Sequence, residues 1–408
     1  MRKQLIRIAA LPSAVVLAVT AGGAQAIARV DTRLATTPAA ASLFADPVQY
    51  PAAARFWSLV DVDLNGDGKV DIATGNGNNT ISVFLNKGDG TFLPRTDYVA
   101  QSLPYFLTFD VVAADFTGDG KPDLAISGGN PVGYVQLFAN KGDGTLAAPV
   151  VTPMGFGPNQ LVATDLNHDG KSDLITTNNF AADVSVRLGN GNGTFKPEHK
   201  YEVGPGPQGL EIADANRDHI PDILTGNFGR PKDSLSVAYG RGDGTFGKTH
   251  EYNVAVSGND VAVGDFNRDG ILDAAVPEFV TNKIQVVLGR RAGGFGPPVT
   301  YDGSTGVNEA TAADLNGDGK LDLIDSVSPD QNRDPGSPPP PPGLQGAGIA
   351  VLLGHGDGRF AERTIFPIEG AIAAILPIDV DGDGRLDVAA ADLNTNTLVV
   401  WHNTSASH

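Results

Sequence analysis

A nine-residue pattern, Asp-x-Asn-x-Asp-Gly-x-x-Asp or a close variant, begins at Asp63, Asp115, Asp165, Asp214, Asp265, Asp314 and Asp379. Calcium is a hard cation that takes about six to eight oxygen ligands, and a short loop can wrap it when oxygen donors recur at alternate residues. In the first copy Asp63, Asn65 and Asp67 offer side-chain oxygens, Gly68 permits a tight turn, Lys69 offers its carbonyl, and Asp71 closes the cage. The cognate ligand sets are Asp115, Thr117, Asp119, Lys121 and Asp123, then Asp165, Asn167, Asp169, Lys171 and Asp173. They continue with Asp214, Asn216, Asp218, Ile220 and Asp222, and with Asp265, Asn267, Asp269, Ile271 and Asp273. The last two are Asp314, Asn316, Asp318, Lys320 and Asp322, and Asp379, Asp381, Asp383, Arg385 and Asp387. Positions one, five and nine are aspartate in all seven copies, so up to seven calcium ions are expected.

The copies are unequal. Asp379, Asp381, Asp383 and Asp387 give four carboxylates and the tightest expected site. Thr117 is a weaker oxygen ligand at position three. His219 replaces the position-six glycine, and if that position needs a positive φ the fourth loop is the weakest. An EF-hand would need a glutamate at position twelve, where Thr74 and Ile126 stand, and flanking helices. The repeat-in-toxin nonapeptide does not match the Asp-to-Asp spacing. Carboxylates that merely cap turns would repel one another if no ion sat among them.

The loops dictate their neighbours. After each comes a short apolar strand, as in Asp71–Thr74, then an alternating strand such as Ile81–Leu85. A Gly-Asp-Gly-Thr-Phe turn follows at Gly88, with cognates at Gly142, Gly191, Gly242, Gly293 and Gly356. Asp-Gly and Asn-Gly pairs between period-two strands are hairpin signals. Four antiparallel strands in about 50 residues form the unit of a β-propeller blade, and no helical periodicity appears in the mature chain. The seventh repeat stops at Leu398–Trp401 without its turn and outer strand, while Phe44–Tyr50 resembles that missing piece. The expected fold is therefore all-β: a seven-bladed β-propeller of four-stranded blades, its ring closed by pairing residues 43–50 with the last repeat. The propeller spans residues 43–403, after a flexible segment at 27–42 and before a short tail at 404–408. Residues 328–347, with Pro338–Pro342, form a polyproline-like insertion between the second and third strands of blade six.

Residues 1–26 read as a secretory signal: Arg2, Lys3 and Arg7, an apolar stretch, then Ala24-Gln25-Ala26. Cleavage near Ala26 implies a secreted or periplasmic protein with no transmembrane segment. The chain has no cysteine, so burial and metal must supply stability that disulfides give other exported proteins. The net charge of −18 becomes −21 without the signal, and seven calcium ions would bring it to −7. Such acidity, without a basic stripe, argues against nucleic acid.

The repeats resemble the FG-GAP/VCBS family, whose propellers include the head of integrin α subunits, over essentially the whole of residues 43–403. The resemblance implies calcium between the first and second strands of blades, and all seven loops intact would be richer than the integrin pattern. It does not fix a function. The histidines are scattered over different repeats, and no catalytic constellation emerges. Arg241-Gly242-Asp243 is ordinary turn chemistry, since Lys87, Lys141, Asn190 and His355 occupy the arginine position elsewhere. Asn78, Asn192 and Asn403 begin sequons that are incidental in a bacterial-type export context. The face opposite the acidic loops carries Asn- and Gly-rich turns together with Tyr105, Phe106 and Phe156, a composition suited to glycan or peptide recognition. The expected function is a monomeric, calcium-stabilised binding or adhesion module for a glycan or extracellular protein. A glycan-active enzyme, a lyase or hydrolase, is the alternative, and a scaffold within a surface assembly is the third reading.

Overall fold

A computed structural model describes residues 43–103, 108–228, 234–254, 260–279, 281–303, 306–307, 309–328 and 347–405. Its strands form seven four-stranded antiparallel sheets, with no helix among the described residues. Residues 1–42, with the expected signal and flexible segment, lie outside the described residues, as do Tyr105, Phe106 and the proline run.

Each blade begins with an inner strand, Phe56–Val62 in blade one, and passes through its acidic loop to a second strand, Asp71–Asn76. The second strand is buried at every residue in every blade. It lies between two strands of its own sheet and beneath the faces of both neighbours, so it admits only apolar, small or hydrogen-bonded side chains. Asn76, for example, donates to Ser82 Oγ at 2.8 Å and accepts from Thr74 Oγ1 at 3.0 Å. The outer strands, such as Thr96–Val99, are mostly exposed.

The hydrophobic core is divided among the blade interfaces rather than pooled in one centre. One cluster joins Leu64, Ala73, Ile81 and Val83 of blade one to Val111, Leu124, Ile126 and Phe138 of blade two. The seven such clusters correspond to the seven interfaces.

The ring closes as the sequence predicts. Val48–Pro51 pairs antiparallel with Thr397–Trp401, in the register Val48↔Val400 and Tyr50↔Leu398. Phe44 bridges Asn403, repeating the Asn86↔Phe92 bridge of blade one. The regular strand runs one residue beyond the expected segment, to Pro51. In blade five the turn reads Arg291-Ala292-Gly293-Gly294-Phe295, with Phe295 bridging Gly289. Gly293 is thus the third turn residue there, not the first as the sequence suggested.

Candidate functional sites: acidic loops and a channel cavity

Every acidic loop lies between the first and second strands of its blade, wound around its position-one carboxylate. Asp63 accepts backbone N–H groups from Gly66 at 2.8 Å, Asp67 at 3.2 Å and Gly68 at 2.9 Å. Position two is the apolar anchor: Leu64, Phe116, Leu166, Phe266, Leu315 and Val380 are all buried. Position nine is a buried tie. Asp71 accepts from Leu64 N at 3.0 Å and from Asn86 N, beyond the third strand, at 2.7 Å.

Burial raises the Asp71 and Asp173 carboxyls above their ordinary range, and the position-five and position-one charges add to it. At Asp222, Asp273 and Asp322 the same causes push the value up to about 6, against the hydrogen bonds of backbone N–H groups. A shielded carboxylate beside two others calls for a cation. In the seventh loop, oxygens of Asp379, Asp381 and Asp383 converge within 4.8 Å of one another. The donor sets fit a hard divalent cation: oxygens at positions one, three, five and nine, with the position-seven carbonyl available.

Sequence reasoning missed what the position-seven side chains do. Lys69 Nζ lies 3.2 Å from Asp67, and Lys121, Lys171 and Lys320 pair likewise with the position-five aspartates of their own loops. These pairs are exposed and contribute little to stability.

Position six does require a left-handed backbone. Gly68 has φ of 80° and Gly319 of 78°, and His219 adopts 65° in the fourth loop, where Arg217 also has φ of 69°. Non-glycine residues held there cost on the order of 1 kcal/mol or more. His219→Gly is therefore expected to raise stability by about 1 kcal/mol in thermal or urea unfolding.

Neighbouring blades lock together at this end. Asn140 Nδ2 donates to the Leu64 carbonyl at 3.0 Å, and Asn86 Nδ2 to that of Val380 at 2.8 Å. The Gly-Asp-Gly turns belong to the same network. In the Arg241-Gly242-Asp243 turn, Asp243 accepts from the N–H and hydroxyl of Thr245, as Asp89 and Asp143 do from Thr91 and Thr145.

The inner strands carry a second constellation. Five residues before each loop stand Ser58, Asp110, Gln160, Gly209, Asp260, Glu309 and Ala374, in equivalent register. Five of their side chains reach to the next blade. Asp110 accepts from Leu161 N at 2.6 Å, Gln160 from Leu210 N, Asp260 from Ala310 N at 3.2 Å, and Glu309 from the Ile375 backbone. Ser58 Oγ donates to Asp110 and accepts from Val111 N at 3.2 Å.

Several of these residues border a cavity of about 530 Å³, together with Trp57, Phe109, Asn159 and Gln208. Trp57, Phe109, Asn159 and Gln208 lie near the starts of inner strands, so this mouth opens on the end away from the acidic loops. The Trp57 ring packs over Gly77, where a Cβ would come within 2.8 Å of it.

No residue bordering the cavity among those described carries a positive charge. Burial raises Asp110 to about 6. It raises Asp260 to about 7, with the Asp110 charge adding, and Glu211 to about 8, with Asp260 adding. Glu309 is pushed well above its usual range by burial and by the charges of Asp260, Asp110 and Glu211. Folded-state values above the unfolded ones mean that the fold binds these protons more tightly. Their contribution is fully present below about pH 4 and is lost as pH rises through about 6 to 8. Glu211→Gln should flatten that decline, raising stability at pH 8 by on the order of 1 kcal/mol and leaving it nearly unchanged at pH 5, with loops saturated with calcium.

The FG-GAP-like repeat family matches residues 63–126, 115–176 and 165–225. No curated protein matches the chain by sequence. Among solved structures, BBS1N in complex with ARL6DN aligns with a TM-score of 0.59 at 11% identity, covering 90% of this chain and 98% of that one. An Agrocybe aegerita lectin aligns with a TM-score of 0.50 at 20% identity, covering 85% of this chain and 88% of the lectin. At these identities the structural likenesses establish the fold. Residues 63–225 thus carry FG-GAP-like repeats, within a seven-bladed β-propeller.

Proposed function

We propose that the chain is an exported, calcium-stabilised binding module whose ligand seats at the channel mouth, away from the acidic loops. The observation that carries this reading is the cavity itself: an indole and a phenyl ring beside three amide side chains and the belt carboxyls. Rings that stack on apolar faces, with amides that both donate and accept, suit a sugar. The volume of about 530 Å³ falls within the range of small-ligand sites. The aligned lectin recognises non-reducing terminal N-acetylglucosamine, so this kind of fold supports glycan recognition in that protein. Exposed Phe156 and Phe180, with ring centroids 6.4 Å apart, add an aromatic patch outside the cavity.

Trp57→Ala is expected to weaken retention on a glycan array at least about tenfold, the loss of one stacking platform, with little change in calcium-loaded melting. Equal retention by wild type and variant overturns the placement. A second reading, glycan-cleaving enzyme, draws on the raised carboxyls, which are poised for proton transfer near neutrality. Products released from a retained glycan, and abolished in Asp260→Asn, favour the enzyme; retention without cleavage favours the binding module.

A further inference from the structure

The closing blade carries a histidine beside its acidic loop. In blades one, three, five and six the residue after the third strand is Leu85, Leu188, Leu288 or Leu353; in blade seven it is His402. The equivalence is spatial as well as sequential. The second turn glycine of the following blade packs on Leu85 and Asn65 in blade one, on Leu288 and Asn267 in blade five, and on His402 and Asp381 in blade seven. An imidazole thus stands where four sister blades have leucine, blade two Ala139 and blade four Tyr239.

Its orientation is that of a ligand. A ring nitrogen of His402 lies within 4.8 Å of carboxylate oxygens of both Asp381 and Asp387. Nδ1 is 3.4 Å from Asp387 Oδ2 and shielded from solvent. The ring also bonds the Gly90 backbone, and Nε2 is the ring nitrogen nearest that residue. A ring nitrogen held by a carbonyl, with the other aimed among carboxylates, is the arrangement by which proteins orient a metal-binding histidine.

We propose that the loop of the closing blade is a site for a transition-type divalent cation, with His402 Nδ1 joining Asp381 and Asp387 as ligands. Imidazole suits zinc, copper, iron or nickel, whereas the all-oxygen loops suit calcium. The inference builds on the reading of the loops as cation sites, but it concerns one loop and one nitrogen.

The test uses the full exported chain, stripped of metal and then saturated with calcium, so that the oxygen loops are filled. Cobalt(II) is titrated in and followed by its visible absorption, with zinc as competitor. The expected result is one tight equivalent displaced by zinc, weakened at least about tenfold in His402→Leu. That variant supplies the residue of four sister blades and should melt like wild type in calcium. Identical cobalt affinity and spectrum in wild type and His402→Leu overturn the proposal. Should the variant fail to fold, pulsed EPR of one equivalent of copper(II) on calcium-saturated wild type decides: imidazole nitrogen coupling supports His402 ligation, and its absence contradicts it. Failure of the calcium reading shows separately, as melting insensitive to calcium removal.

Discussion

Deleting Leu43–Tyr50 is expected to lower the melting temperature by more than about 10 °C, because it opens the ring. Thr397–Trp401 would lose its outer partner and expose an edge of unpaired backbone groups. Phe44 is 3% exposed and packs edge-on to Phe366 at 4.9 Å. Its loss alone should cost about 3–5 kcal/mol, the usual range for a buried phenylalanine. Tyr50 adds an edge-on contact with Phe92 at 5.2 Å, so blade one loses support as well. Deleting Pro338–Pro342, within the insertion of blade six, should shift melting far less. Equal losses would refute closure as the source of stability.

Stripping divalent cations is expected to have an effect of similar size. Each filled loop adds about 1.4 kcal/mol when calcium is tenfold above its dissociation constant, and the sites sum over the ring. Substitutions must be chosen with care to see this. Asp322 accepts from Leu315 N at 3.0 Å and Gly354 N at 2.8 Å, so Asp322→Ala destabilises the blade with or without an ion. Asp318 sits at the loop surface, where its carboxylate accepts from Lys320 N at 3.0 Å and pairs with Lys320 Nζ at 2.8 Å. Asp318→Asn should therefore lower the calcium-loaded melting temperature while changing the calcium-free one little. Equal shifts in both states would make that aspartate structural only.

Blade count and ring closure were legible in the sequence because they depend on local signals that recur: acidic loop, turn, and the orphan strand at Phe44–Tyr50. The loops were legible for the same reason, down to the positive φ that His219 must accept. The channel was not. Its residues vary through Ser58, Asp110, Gln160, Gly209, Asp260, Glu309 and Ala374, so repeat matching gives them no signal. Only their constant offset of five residues before each loop could have gathered them, and that offset matters once the inner strands are known to face a common axis. His402 escaped attention similarly, since its role depends on the neighbouring turn at Gly90 and not on the nonapeptide.

The central claim is that the acidic loops hold calcium as part of the fold. Equilibrium dialysis against calcium on metal-free protein, followed by melting of the same samples, tests it most directly. The account predicts about four to seven ions per chain, with dissociation constants in the range of about 10⁻⁴–10⁻³ M common for extracellular modules, and a melting temperature that climbs with occupancy. No bound calcium, or a melting temperature indifferent to it, would contradict the account.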